Sequence, residues 1–535
     1  MATHDVINQP PPLHDYEPLA QDRALLEGLR REGAQWAEDD IAVLGRRTAS
    51  REVLAWGALA NENPPRLRTH DRFGHRVDEI EFHPAWHELM RLSIANGIHS
   101  GPWREPREGA HVARAAKMML VSQTEFGHGC PISMTYSAFP ALQRQPDLLE
   151  EWAPHIVSLN YDPRLLPVGE KTGAIIGMGM TEKQGGSDVR ANTTRAVPAE
   201  GAWALTGHKW FCSAPMSDAF LVLAQAPRGL SCFLLPRFTP GGQRNHFIIQ
   251  RLKDKLGNRS NASGEVEFEN AYARLVGEEG RGVHTILEMV NHTRLDCVIG
   301  SSGMMRAALV QAAHHCAHRS AFGRRLVDQP LMRGVLADLA TESEAATVLM
   351  MRLARAYDRR EEEAPFRRIA TAVAKYWVCK RAAPFAAEAL ECLGGNGYVE
   401  ESGMPRIYRE APLNSIWEGS GNVICLDVLR AIGKEPQARD ALVAELRLSR
   451  GADRRLDAAL DETEALLVKP EEPAARRLVE RLAVTLQGAL LVRHAPHAVA
   501  DAFCGTRLAG DHGYSFGTLP PGLDVDAILA RAWPA

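Results

Sequence analysis

The spacing of hydrophobic positions changes twice along this chain. Up to about residue 173 apolar residues recur at helical intervals, as in segments 22–31 and 109–126, so a mostly helical region is expected. Its Pro-rich start, Gln9-Pro10-Pro11-Pro12-Leu13, reads as an extended arm, and Asp71-Arg72-Phe73-Gly74-His75 as a small hairpin. From residue 174 short β-branched and aromatic runs alternate with turns. Segments 220–223, 231–235 and 246–249 read as strands, and Glu265-Val266-Glu267-Phe268-Glu269 alternates like a strand with one wet face. Helical spacing returns at residue 282. The patterns 283–318, 331–359, 367–393 and 422–432 suit a helical bundle. Lys434-Glu435-Pro436 marks a boundary, followed by helical patterns at 441–446, 456–467 and 474–491. The expected fold is a multidomain α+β protein. It has a helical N-terminal domain with an extended arm (1–173), a β domain (174–281), a helical bundle (282–435) and an additional C-terminal helical domain (436–535).

Composition narrows this picture without changing it. A chain of 535 residues exceeds one ordinary core and predicts several domains, roughly three or four. With 45% hydrophobic residues, 24% charged residues and a net charge of −4, it reads as soluble and globular. That charge gives nucleic acid no general attraction, although a local basic face is compatible with it. No apolar run approaches the roughly 20 residues of a membrane span. The start lacks the basic and apolar regions of a signal peptide. Nine scattered cysteines without a Cys-x-x-Cys pair suit reduced thiols and a cytoplasmic location.

Four segments carry candidate chemistry. Glu418 lies in Asn414-Ser415-Ile416-Trp417-Glu418-Gly419-Ser420-Gly421-Asn422, before a helical pattern. A carboxylate losing solvation in an apolar turn has its pKa raised, which makes it a stronger base toward a carbon-bound proton. Met180-Thr181-Glu182-Lys183-Gln184-Gly185-Gly186-Ser187-Asp188 offers two hydroxyls from a glycine-containing loop, and alone reads equally as a solvated loop. Arg319-Ser320-Ala321-Phe322-Gly323 supplies a guanidinium of the kind that grips a pyrophosphate. Leu393-Gly394-Gly395-Asn396-Gly397-Tyr398 is either a helix C-cap or a loop whose N–H groups approach an anion. His314 and His318 share a helix face, but no third ligand accompanies them and no metal is expected.

In this order and spacing, and with Gly207-His208-Lys209-Trp210-Phe211-Cys212-Ser213, the segments resemble acyl-CoA dehydrogenases, flavoproteins that oxidise a thioester at Cα–Cβ. Phe82-His83-Pro84-Ala85-Trp86-His87-Glu88-Leu89-Met90 and Lys253-Asp254-Lys255-Leu256-Gly257-Asn258-Arg259-Ser260 resemble the AidB subgroup, bacterial flavoproteins of the adaptive response to alkylation. So does the additional C-terminal helical domain. The resemblance implies bound FAD and a homotetramer. Glu418 would take the α proton while hydride passes to flavin N5.

Further roles are implied in the same way. Met180, Thr181, Ser187, Phe211 and Ser213 would contact the flavin. Arg319, Phe322, Gln329, Gly394, Gly395, Asn396, Gly397, Ser420 and Asn422 would complete the FAD site, partly across a subunit interface. Arg294 would lie near the acyl-CoA substrate. Lys183 stands where the family has proline, and Gln329 falls one place early. The subgroup also implies protection of double-stranded DNA against alkylation, with Arg430 the best single candidate for DNA contact. A DNA-binding flavoprotein with little or no acyl-CoA turnover is the alternative. The arginines beyond residue 441 are offset by a comparable set of acids, so that segment is not strongly basic.

Overall fold

The computed structural model describes residues 3–532. They form two compact units, each built from separated stretches of chain. One contains the described residues up to 51, 107–124 and those from 294 onward; the other contains 52–106 and 125–293.

The second unit is organised by β-structure. Strands β1 (Arg66–His70) and β2 (Arg76–Glu81) form the expected hairpin, whose turn is held by Asp71 accepting from the N–H groups of Phe73 and His75. Seven further strands are β3 (Ile176–Gly179), β4 (Arg195–Ala199), β5 (Ala202–Ser213), β6 (Ala219–Ala226), β7 (Gly229–Pro236), β8 (Phe247–Leu252) and β9 (Ser263–Val276). Their order is β3-β6-β4-β5-β9-β7, with β8 also on β9. Because β6 pairs with both β4 and β7, the strands β6, β4, β5, β9 and β7 close on themselves, while β3 and β8 each pair on one side only. Alternating residues fill its core, including Leu205, Phe220, Val222, Phe233, Phe247, Val266 and Phe268, with Leu67 and Ile80 of the hairpin packed against it. Glu265, expected on a wet face, is instead buried between Arg251 and Lys253, which neutralise it.

The first unit is helical. The helix Gly282–His318 enters it at Arg294, and the helices Pro330–Asp358, Ala364–Glu391 and Gly421–Lys434 follow where the 3.6-residue period placed them. The helices Pro436–Arg447, Arg454–Val468 and Ala475–His494 belong to the same compact unit. Ala475–His494 packs on both Pro330–Asp358 and Ala364–Glu391. The segment after residue 435 therefore shares a core with the bundle. Buried ion pairs cross the contact, including Arg507 with Asp338 and Glu342, and Arg352 with Glu445. Among the described residues all nine cysteines are free and buried, and no helix is long and apolar enough to cross a membrane.

Candidate active site

Where β3 ends, the chain runs through Met180 to Asp188 and is fastened from below. The Thr181 carbonyl accepts the Trp210 N–H of β5 at 2.8 Å, and the Met180 carbonyl accepts Asn192 Nδ2 at 2.9 Å. Glu182 is fully buried. It accepts from Lys209 Nζ at 2.7 Å, from the Thr193 N–H and hydroxyl at 2.7 and 2.9 Å, and from the Thr194 N–H at 3.1 Å. Burial pushes the Glu182 pKa up, but Lys209 and these donors outweigh it and hold the carboxyl well below its usual range. Burial also lowers Lys209 to about 8 despite its partner. A buried pair satisfied on every side fixes the loop's geometry, and losing one partner is costly.

Above this base the loop is open. The hydroxyls of Thr181, Ser187 and Ser213 make no hydrogen bond within the described residues. Gly186 is required for that opening, since a Cβ there would fall 2.6 Å from Thr181 Oγ1. Of the two adjacent aromatics, Trp210 is covered more closely by the Lys253 ammonium, 3.6 Å from its ring centre against 4.5 Å for Phe211, and Phe211 is 52% exposed. Unpaired hydroxyls beside an open aromatic fit the polar edge and flat face of an isoalloxazine. Sequence reasoning quoted Glu182 and Lys209 without giving them a role. For Lys209, a charge beside Trp210-Phe211-Cys212 in a strand-like run was the available signal; Glu182 lies in a polar loop that gives none.

Glu418 lies in the helical unit, on a turn between Leu413–Ser415 and the helix Gly421–Lys434. Its backbone is left-handed, with φ of +59°, and Gly419 follows at +107°. A non-glycine residue there costs about 1 kcal/mol, so the surroundings must impose it. They do so through carbonyls. Arg294 Nε donates to the Glu418 carbonyl at 3.0 Å, and Lys375 Nζ donates to the Gly419 carbonyl. Arg294 is held in turn by Asp427 at 2.8 Å, and Asp427 also takes Arg368 at 2.9 Å. Trp417 Nε1 donates to Asn414 Oδ1 at 2.9 Å, and Asn414 Nδ2 to Ser301 Oγ at 3.0 Å. Charge-assisted hydrogen bonds contribute about 1.5–3 kcal/mol each, enough to offset the strained residue.

This arrangement bears on two expectations. The turn was expected in apolar surroundings; two buried cations grip it instead. Arg294, expected beside substrate, is 6% exposed and spends two of its nitrogens on the Glu418 carbonyl and on Asp427. Lys375, only 1% exposed, was missed. It is a lone charge within Ala372-Val373-Ala374-Lys375-Tyr376-Trp377, and an isolated cation in a buried helical stripe is a signal in itself.

The remaining predicted residues of this unit cluster on exposed turns. Arg319 leads into the hairpin of β10 (Ser320–Ala321) and β11 (Arg324–Arg325), with Phe322 99% exposed at its tip. Gln329 folds back to donate to the Ala321 carbonyl at 3.0 Å. Gly394, Gly395 and Asn396 are exposed on the turn Gly394–Tyr398. Gly397 is buried there, and a Cβ on it would fall 2.1 Å from the Leu390 carbonyl. Ser420 and Asn422 are exposed at the start of the helix after Glu418. Arg476 approaches them, reaching Asn422 Oδ1 at 3.4 Å and Tyr376 Oη at 3.3 Å. Arg430 is exposed on the same helix and has no carboxylate within ion-pair distance among the described residues.

One other group in the β-containing unit has the connectivity of a nucleophile relay. Ser93 Oγ lies 3.0 Å from His128 Nε2, and His128 Nδ1 lies 2.8 Å from Glu125, which also accepts from Ser260 at 2.6 Å. Ser93, His128 and Glu125 are all buried, so the chain reads as a structural brace for the loop at Ser260.

A barrel-like β domain followed by long helices, hydroxyls beside an open aromatic, and a carboxylate on a fixed turn define the acyl-CoA dehydrogenase class. Family models agree. The Adaptive response protein AidB N-terminal domain matches residues 8–163, the acyl-CoA dehydrogenase middle domain 177–271 and the acyl-CoA dehydrogenase C-terminal domain 280–433. The chain is 50% identical to the AidB protein of Escherichia coli (strain K12) over 95% of its own length and 94% of that protein's. It is 31% identical to acyl-CoA dehydrogenase family member 11 of Caenorhabditis elegans, over 85% and 80% of the two chains. The structure of Caenorhabditis elegans ACDH-11 in complex with C11-CoA superposes with a TM-score of 0.86 at 28% identity, covering 95% of this chain and 93% of that one. The chain belongs to the AidB branch of the acyl-CoA dehydrogenase family. It is an oxidoreductase acting on CH–CH donors, and its cofactor is FAD.

Proposed function

We propose that Glu418 is the catalytic base of an acyl-CoA dehydrogenase reaction and takes the proton from Cα of an acyl thioester. The carrying observation is the left-handed turn at Glu418, whose two carbonyls are gripped by buried Arg294 and Lys375. A base fixed by cations on its backbone meets a carbon acid without first reorganising. FAD, when bound, supplies the acceptor for the β hydrogen. Met180, Thr181, Ser187, Phe211 and Ser213 would hold the flavin end. Arg319, Phe322, Gln329, Gly394, Gly395, Asn396, Gly397, Ser420 and Asn422 would hold the rest, partly by donation between the subunits of a homotetramer. Exposed Phe322 and Tyr398, 99% and 83% accessible, support a subunit contact on those turns. The C11-CoA complex of the Caenorhabditis elegans relative supports an acyl-CoA as the substrate class. Nine free thiols support a reducing, cytoplasmic setting.

Anaerobic titration of the FAD-loaded protein with short, branched and long acyl-CoAs tests this reading. Bleaching of the oxidised flavin bands by one chain class is expected. A flavin spectrum indifferent to the whole panel overturns it.

A second reading, protection of duplex DNA against alkylation with little acyl-CoA turnover, is supported by one observation. Arg430 is an exposed, uncompensated cation on the helix that follows the base. It predicts salt-sensitive duplex binding that weakens on Arg430→Ala. Affinity independent of salt would remove the support.

A further inference from the structure

The N-terminal arm lies across the two turns of the helical unit to which the proposed function assigns the non-flavin part of FAD. Asn8 pairs with Ser320 as a neighbouring strand would: its Nδ2 donates to the Ser320 carbonyl at 2.8 Å, and its Oδ1 accepts the Ser320 N–H at 2.7 Å. The Asn8 carbonyl accepts from the Arg319 guanidinium at 2.6 Å. One residue on, Gln9 Oε1 accepts from Asn396 Nδ2 at 3.4 Å. Further along, the Pro11 carbonyl lies 2.8 Å from His314 Nε2. Asn8 is itself left-handed, with φ of +58°, a conformation that asparagine tolerates better than most residues. The hairpin it pairs with has only two residues per strand, too few to hold its own shape.

We propose that Asn8 is a positioning residue for FAD: it fixes the hairpin, and its carbonyl aims the Arg319 guanidinium at the cofactor. This rests on the reading of Arg319 and Asn396 as FAD contacts. The chemistry favours aiming over blocking. A carbonyl takes one N–H of a guanidinium and leaves its charge whole, so the other N–H groups are free for a phosphate. A carboxylate in the same place would neutralise it. Gln9 extends the same bracing to Asn396, so a single extended strap sets both turns, and the prolines that follow stiffen it. Without the strap Arg319 would sample many rotamers, and FAD binding would have to order it.

The experiment titrates FAD into the apoprotein of the full chain and of Asn8→Ala, with His4→Ala as the control. His4 is exposed on the same arm, and among the described residues its side chain hydrogen-bonds its neighbour Thr3 alone. Flavin fluorescence gives Kd, sedimentation gives mass, and thermal unfolding of the apoproteins reports folding. The expected result is about a tenfold weaker Kd for Asn8→Ala, an unchanged Kd for His4→Ala, and equal masses and unfolding temperatures. Asn8→Asp, which keeps the acceptor for the Ser320 N–H but brings a carboxylate beside Arg319, is expected to weaken FAD at least as much. An unaltered Kd in Asn8→Ala, with the parent chain binding FAD, overturns the positioning role and leaves the proposed function standing. A parent chain that binds no FAD overturns both. Loss of oligomeric mass in the Asn8→Ala apoprotein also overturns positioning, because the arm would then act in assembly.

Discussion

Arg294, Arg319 and Lys375 donate to backbone carbonyls, whereas Arg447, Arg477 and Arg507 donate to carboxylates. The division follows the chain. Cations around the Glu418 turn and the exposed hairpin grip main chain, and the carboxylates among them are fewer and shared: Asp427 takes both Arg294 and Arg368, Arg368 also takes Glu435, and Arg325 of the hairpin takes Asp328. Beyond residue 433, Arg450, Arg455, Arg481, Arg493 and Arg531 also have carboxylate partners. A carbonyl holds a cation in place and leaves its charge available; a carboxylate cancels it. Lys375 near Glu418 and Arg319 at the hairpin therefore keep their charge available, Arg294 gives part of its charge to Asp427, and in the second region the arginines beyond residue 433 fasten helices together. That difference predicts where substitution alters chemistry and where it alters only stability.

The largest effect is expected at the base itself. Glu418→Gln keeps the size and the turn but removes the proton acceptor. Stopped-flow reduction by the best acyl-CoA should slow by about 10³-fold while FAD remains bound. Reduction at the parental rate would take Glu418 out of the chemistry.

Next is Lys375→Met, which preserves length and deletes the donor to Gly419. The turn then loses one of its two cationic holds, and the base samples unproductive positions. The reductive rate should fall by about 10²-fold with FAD affinity unchanged. Arg at this position should restore part of the rate, since it can still donate. If instead only thermal stability falls and the reductive rate holds, the cations near the base are as structural as those beyond residue 433, and the contrast fails.

The complementary loss lies in the second region. Arg507 is buried against Asp338 and Glu342. Arg507→Met should cost about 3 kcal/mol in denaturant unfolding and leave the bleaching of FAD by acyl-CoA intact. Its pH dependence has a definite sign. Burial pushes the Glu342 pKa up, but Arg381 and Arg507 outweigh burial and bring it down to about 2 from its ordinary 4.5. Between those two values the unfolded chain binds more protons, so stability rises with pH there. The contribution is complete above about pH 4.5 and is lost as pH falls toward 2. Removing Arg507 should shift acid unfolding to higher pH. An unshifted acid transition would mean that Arg381 alone sustains the Glu342 charge.

Most of the element pattern was legible because burial writes itself into period. Alternation in β9 and the 3.6-residue spacing of the long helices both reflect a face turned inward. Glu418, the Thr181 loop and Arg319 stood out as candidates because their residue types, order and spacing resemble the family's. What was not legible depended on partners distant in sequence. Nothing local says that Lys375 caps the Gly419 carbonyl, that Arg294 turns to the Glu418 backbone, or that Asn8 pairs with Ser320 more than 300 residues away. The segment beyond 435 reads as a separate helical domain because its own period is complete. Its packing on the earlier helices, and buried ion pairs such as Arg507 with Asp338 and Glu445 with Arg352, tie it to the bundle.

The smallest effect offers the finest test of the contrast. Arg477 pairs with Glu462 at 3.4 Å with its side chain 75% exposed, and such a pair is worth less than about 1 kcal/mol. Arg477→Ala should leave unfolding within about 0.5 kcal/mol of the parent. Its more telling readout is duplex DNA. If DNA is bound at all, each phosphate contact contributes about one unit to the slope of log affinity against log salt. Arg430, with no carboxylate to cancel it, should lower that slope by about one when replaced by alanine. Arg477, which shares Glu462 with Arg481, should lower it by less than Arg430 does. Equal losses from the two would show that surface pairing with acids does not silence the arginines beyond residue 433, and that segment would then have to be counted as a phosphate-binding face.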